Sequence, residues 1–124
     1  MKVIEAINRF DNLEFNTYSQ TDKVEWLSRL DGAVKQKIID THEGGENVSF
    51  TGYTADKDLE TVLLVPAPYD DIYLRWMEAQ VHYYNGEIDK FNAAIIMYNT
   101  AFDAYANYYK QHHMPRSRTS RFIF

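Results

Sequence analysis

The sequence contains no cysteine among its 124 residues. Disulfide bonds, thiolate nucleophiles and cysteine-ligated zinc or iron–sulfur centres are therefore excluded. Long apolar runs are also missing, because no window approaches the roughly 20 apolar residues that a membrane-spanning helix needs. The first ten residues (MKVIEAINRF) lack the apolar stretch of a signal peptide. With 45% hydrophobic and 25% charged residues, the chain is expected to form one soluble globular domain that does not enter a membrane.

Basic residues are scarce outside the C-terminal end. The last 15 residues carry four basic side chains and no acid, whereas the rest of the chain carries nine basic and eighteen acidic ones. An acidic body repels phosphate, which disfavours nucleic-acid binding there. The contrast predicts a C-terminal tail that docks on a partner. Its apolar end favours a protein over a phosphate backbone, and its candidate contact residues are Arg116, Arg118, Arg121, Phe122, Ile123 and Phe124.

Apolar residues recur at helical spacing in four stretches of the chain. They predict α-helices over residues 3–10, 20–41, 69–84 (beginning at 68 or 69) and 87–112. Ser19 is a favourable N-cap for the second helix. Asn85 and Gly86 predict a left-handed C-cap between the third and fourth helices. A joint this short makes those two helices antiparallel neighbours.

The predicted helical hairpin of residues 69–112 is rich in aromatic side chains, and the chain has ten tyrosines. Four helices of this size cannot bury every ring, although core packing accounts for Trp26, Trp76, Phe91, Tyr98 and Phe102. Stacking on nucleobases normally comes with an electropositive groove, which an acidic body does not offer. We therefore assign the surplus to a subunit interface, with candidates Tyr73, Tyr84, Tyr105, Tyr108 and Tyr109.

Residues 42–64 lose the helical period and contain three glycines. Residues 48–53 (VSFTGY) alternate apolar and polar side chains, which indicates one arm of a small β-hairpin, and residues 61–65 supply the other arm. Connections of this length in small domains tend to be functional or disordered. The pattern predicts a projecting loop.

No catalytic or metal-binding motif survives inspection. The stretch from His42 to Glu46 (HEGGE) lacks the second histidine of a zinc-protease motif. Asp56, Asp58 and Glu60 lack the glycine and the glutamate of a calcium loop. His82 has no partner that spacing assigns, and His112 and His113 fit a helix cap. The sequence therefore predicts no catalytic residue, no metal site and no cofactor.

Together these patterns predict an all-α fold. Residues 1–113 are expected to form a four-helix bundle-like subunit with a long loop between the second and third helices. Residues 114–124 are expected to form an extended basic and apolar tail.

The order and spacing of several stretches resemble the small head–tail connector proteins of tailed phages, also called adaptor or head-completion proteins, which are common in prophages. The resemblance spans nearly the whole chain and contains no chemical signature. It rests on residues 3–8 (VIEAIN), 16–20 (NTYSQ), 23–27 (KVEWL), 38–44 (IIDTHEG), 64–70 (LVPAPYD), 76–80 (WMEAQ), 98–102 (YNTAF) and 107–115 (NYYKQHHMP).

The resemblance implies a non-enzymatic virion protein at the phage neck, assembled in the cytoplasm of the host bacterium. Its subunits form a ring with the portal's twelve-fold symmetry, which extends the DNA channel without binding DNA specifically and meets a downstream neck or tail-completion protein. The tail residues above would grip the portal protein or a neighbouring subunit. The loop would face the channel or the next ring, through Glu43, Glu46, Phe50, Tyr53, Asp56 and Asp58.

A second hypothesis comes from a different class of protein. The chain would then be a monomeric, prophage-encoded helical binding or regulatory protein that holds a peptide or small ligand in an aromatic groove. The mass of the protein in solution separates the two hypotheses.

Overall fold

The computed structural model describes residues 1–115 and contains four α-helices in that range. They are α1 (Val3–Leu13), α2 (Gln20–Val34), α3 (Ile72–Tyr84) and α4 (Ile88–His112). A π-helical turn, Lys35–Ile39, continues α2, and 3₁₀ turns lie at Gly45–Asn47 and Tyr69–Asp71. These 115 residues contain no β-strand or sheet, which confirms the all-α fold class. Within the same range, no helix combines the length and the hydropathy that a membrane span requires.

The predicted helix ends are formed by the residues that indicated them. Ser19 Oγ accepts the backbone N–H of Asp22 at 3.1 Å, which confirms the N-cap of α2. Gly86 has a φ of 76°, the left-handed conformation that glycine adopts without strain. The ring nitrogens of His112 and His113 lie 2.8 and 3.1 Å from carbonyl oxygens one turn earlier, so both histidines donate to the end of α4.

Helix α3 lies at the centre of the fold, because it packs against α1, α2 and α4. On α3, the indole N–H of Trp76 donates to the carbonyl oxygen of Trp26 on α2 at 2.8 Å. Helix α4 packs antiparallel on α3 and also touches the π-helical end of α2. The fully buried apolar side chains that join these elements include Val3, Leu27, Val34, Ile72 and Met77.

The projecting loop predicted for residues 42–64 is wrong. Tyr53 and Leu63 are buried in the core, and Phe50 and Leu59 pack against it. The hairpin is wrong as well, because residues 48–53 and 61–65 do not pair with each other. The connection crosses the surface of α2 instead, where Ser28 Oγ accepts the backbone N–H of Tyr53 at 3.0 Å.

The second half of the connection completes the start of α1. The first N–H groups of a helix have no partner within it. Here Val3 and Ile4 donate to the carbonyl oxygens of Thr61 and Leu59, each at 2.9 Å, and Leu63 donates to Met1. An irregular segment therefore supplies the hydrogen bonds that the helix cannot make for itself.

A buried carboxyl group joins this connection to two helices. Asp31 on α2 is fully buried. It accepts hydrogen bonds from the hydroxyl groups of Tyr53 and Tyr73 and, at 3.0 Å, from the backbone N–H of Leu64. The hydroxyl of Tyr73 in turn accepts the N–H of Val65 at 2.8 Å. Three groups from the connection and α3 are thus fixed around one side chain, and the N–H of Val65 joins them through Tyr73.

Burial raises the pKa of Asp31 above its ordinary 3.8, and the hydrogen bonds from Tyr53, Tyr73 and Leu64 oppose that rise. Burial and the neighbouring Asp31 also raise the pKa of both tyrosines. Because the pKa of Asp31 is higher in the folded than in the unfolded chain, this group contributes stability that is fully present below pH 3.8. That contribution is lost as the pH rises through the raised pKa.

Replacing Tyr73 by phenylalanine tests this network. The variant leaves Asp31 one donor short and Val65 N–H without its acceptor, so we expect a loss of about 2–4 kcal/mol in the free energy of unfolding at pH 8. The loss should shrink at pH 4, because a protonated carboxyl group needs fewer donors. Urea denaturation at both pH values measures it. The exposed Tyr83→Phe is the matched control, and an equal loss in the two variants would contradict the network.

Candidate interaction surfaces

Three of the five tyrosines predicted to face a neighbouring subunit lie in the core instead. Tyr73 is 0% exposed, because its hydroxyl is committed to Asp31. Tyr105 is buried beside Tyr69, and burial raises its pKa to about 12. Tyr109 is buried between His42 and the stacked ring of His113. The prediction was wrong for these three rings because the chain before α3 and after α2 covers them.

Tyr84 and Tyr108 remain accessible. Tyr84 is 50% exposed and stacks on Trp26, with ring centroids 5.9 Å apart. Together with Tyr18 it borders a shallow cleft of about 170 Å³. Tyr108 is half-buried and packs on Tyr69 at 4.9 Å. Both therefore stay candidates for contact with another molecule.

The outward side of α4 carries apolar side chains that the sequence analysis did not assign to an interface. Ile88, Ile96 and Met97 are exposed, and Ile96 reaches 62% exposure. The buried residues of this helix are Ala94, Tyr98, Tyr105 and Tyr109. At 100° per residue, Ile96 lies nearly opposite this buried side, whereas Ile88 and Met97 lie on the two flanks of the helix. In the sequence, these three residues fall outside the helical period of the buried tyrosines, and that pattern could have identified them as exposed.

The six loop residues do not form one surface. Glu43, Glu46 and Asp56 are exposed, and Phe50 is half-buried. Tyr53 is buried, so its prediction as a ring-facing residue was wrong. The carboxylate of Asp58 stabilises a local turn, because it accepts the backbone N–H of Thr54 at 2.8 Å. This bond holds the pKa of Asp58 below its usual range.

The end of α4 returns to the start of the same loop. The backbone N–H of Glu43 donates to the carbonyl oxygen of Met114 at 2.8 Å, and His42 and Pro115 form an isolated β-bridge. The predicted tail contacts Arg116, Arg118, Arg121, Phe122, Ile123 and Phe124 lie outside the described residues. The chain leads toward them from beside His42.

His82 has partners that spacing in the sequence could not assign. Its ring nitrogens face Glu14 after α1 and Glu87 before α4. The first is distant along the chain, and the second lies across the turn between α3 and α4.

Comparisons with models of known protein families, with curated proteins and with solved structures gave no match for this chain.

The apolar side chains on the outside of α4 are expected to contribute little to folding. Ile96→Gln should change the free energy of unfolding by less than about 0.5 kcal/mol, because an exposed position loses little packing. The buried Met77→Ala on α3 should cost about 2–5 kcal/mol in the same denaturation experiment. A loss above 2 kcal/mol in Ile96→Gln would mean that this side chain belongs to the core.

Proposed function

We propose that this chain is a structural virion protein that forms a ring at the neck of a tailed phage, joins the portal to the tail and extends the DNA channel. The observation that carries the proposal is that α4 exposes three large apolar side chains, Ile88, Ile96 and Met97. Large apolar side chains are common at the centres of protein interfaces, so these three are candidates for subunit contacts. The proposal that these contacts build a ring at a phage neck comes from the resemblance of the sequence to head–tail connectors.

Helix α4 suits a subunit contact because it is long and well supported. It spans 25 residues, or about 37 Å at 1.5 Å per residue. One side of it rests on α3 and on the end of α2, which leaves the opposite side to meet a neighbour. In this proposal the ring is a dodecamer on the portal, and Tyr84 and Tyr108 extend its subunit contacts.

The start of the loop and the start of the tail lie together, which suits contact with a portal. Glu43 and Met114 are hydrogen-bonded there. In the proposal, residues 116–124 grip the portal or a neighbouring subunit, while Glu43 and Glu46 face the channel or the adjoining ring. The acidic body agrees with a channel wall along which DNA slides, because like charges repel.

The cleft at Tyr18, Trp26 and Tyr84 is the feature that favours the alternative, a monomeric binding protein. Its volume of about 170 Å³ is below the roughly 300–1,000 Å³ of common ligand pockets. A ring subunit therefore explains more of the exposed apolar and aromatic side chains than a small-ligand receptor does.

Light scattering tests the assembly. The protein, alone or mixed with its cognate portal protein, should give the mass of a ring. Ile96→Glu should shift that mass to the monomer, because it places an unpaired charge in an apolar contact. Thr21→Glu, an exposed change in the first turn of α2, is the control and should still assemble. A wild-type chain that stays monomeric with portal present would contradict the ring and favour the alternative.

Deletion of residues 116–124 tests the tail. The truncated protein should keep the helical circular dichroism of the full chain and lose portal binding. A variant with Phe122, Ile123 and Phe124 replaced by serine should bind more weakly than one with the three arginines replaced by glutamine, because the apolar end is proposed to anchor the tail. Portal binding that survives the deletion would remove the tail from the proposal.

A further inference from the structure

The end of α1 and the middle of α3 bring together three side chains with metal-ligating atoms. Glu14 directly follows α1, whereas Glu78 and His82 stand four residues apart on α3 and therefore share a face. Their ligand atoms lie within 4.8 Å of one another. One imidazole and two carboxylates thus converge from elements that are distant in sequence.

A further carboxylate holds the ring of His82. Its Nδ1 lies 2.8 Å from Glu87 Oε1. Because an ionised carboxylate only accepts hydrogen bonds, the proton is on Nδ1. In a neutral imidazole Nε2 then keeps its lone pair, and in a protonated one a bound metal ion would displace the proton that Nε2 directs toward Glu14. Metal-binding histidines are usually oriented in this way, by a carboxylate on the other ring nitrogen.

The other ring nitrogen faces a buried oxygen that accepts no hydrogen bond from residues 1–115, and the two atoms form an ion pair only when the imidazole is protonated. His82 Nε2 lies 3.3 Å from Glu14 Oε2, which is inaccessible to solvent and accepts no hydrogen bond from the described residues. A buried carboxylate oxygen that accepts no hydrogen bond is costly. A cation between the two atoms would satisfy both.

The distance between these atoms suits a tetrahedral transition metal. Two ligands bound at about 2.0–2.1 Å to a tetrahedral zinc ion lie about 3.3 Å apart, which is the distance from His82 Nε2 to Glu14 Oε2. Clefts of about 220 and 370 Å³ flank the cluster and leave room for water in a fourth position. An imidazole ligand favours zinc over magnesium or calcium.

Two basic side chains lie at the edge of the cluster and form ion pairs with its outer carboxylate oxygens. Arg75 Nη1 is 4.0 Å from Glu78 Oε1, and Lys90 Nζ is 3.5 Å from Glu87 Oε2. Both are exposed enough to move, since they retain 40% and 66% of their side-chain surface. Neither one supplies a hydrogen bond to Glu14 Oε2.

We propose that Glu14, Glu78 and His82 bind one divalent transition-metal ion, with Zn²⁺ the best fit, and that Glu87 positions the imidazole. The ion fastens the segment after α1 to α3. This site is independent of ring formation, because its three ligands come from one chain.

Calorimetric titration of the full chain, stripped with chelator, tests the site with Zn²⁺ itself. The wild type should bind one Zn²⁺ per chain. His82→Asn and Glu14→Gln should each weaken binding by more than about 100-fold, whereas Glu87→Gln should weaken it by about 10–100-fold, as expected for a positioning residue. Mg²⁺ in excess should not displace the zinc.

His112→Asn is the matched control for non-specific binding by an exposed histidine, and its affinity for Zn²⁺ should equal that of the wild type. Co²⁺ added to the wild type should give the strong visible absorption of a tetrahedral complex, a readout that needs no variant to fold. A wild type that binds no Zn²⁺, or a folded His82→Asn that binds it with unchanged affinity, would overturn the site.

Discussion

The buried carboxyl group of Asp31 is the constraint on which the rest of the structure depends. A carboxyl group that is removed from water must be supplied with hydrogen-bond donors. All three donors come from outside helix α2, which carries the carboxyl group: they are Tyr53, Leu64 and Tyr73. Two of them belong to the connection between the second and third helices, and these bonds hold that connection against α2. Once it is there, its carbonyl oxygens also complete the first turn of α1.

The same constraint decides which surfaces remain for partners. Because the hydroxyl of Tyr73 is used inside the molecule, this ring of α3 serves the core, whereas Tyr83 and Tyr84 at the end of the helix stay exposed. Helix α4 exposes three apolar side chains, of which Ile96 lies opposite its buried side. The hydrogen bond between Glu43 and Met114 brings the start of the connection after α2 next to the chain that follows α4. In the proposed ring, the interior thus orders the chain, and α4 and its exit meet other molecules.

Local patterns predicted the helices well, because helix formation depends on nearby residues. Ser19 and Gly86 marked helix ends through their own chemistry, and the apolar period located all four helices. Contacts between distant residues were not predicted. The sequence suggested nothing that would join Asp31 to Tyr53, and alternation in residues 48–53 suggested a strand where long-range hydrogen bonds formed instead. The candidate site at His82 was missed for the same reason, since Glu14 reaches it only through the packing of α1 on α3.

Amide hydrogen exchange at Leu64 and Val65 tests most directly whether Asp31 makes the connection part of the core. These two N–H groups donate to Asp31 Oδ2 and to the hydroxyl of Tyr73. If the network holds, both should exchange only through global unfolding, with the same opening free energy as the central amides of α3. Exchange at an opening free energy well below that of α3 would show that the connection opens by itself, and would contradict the account.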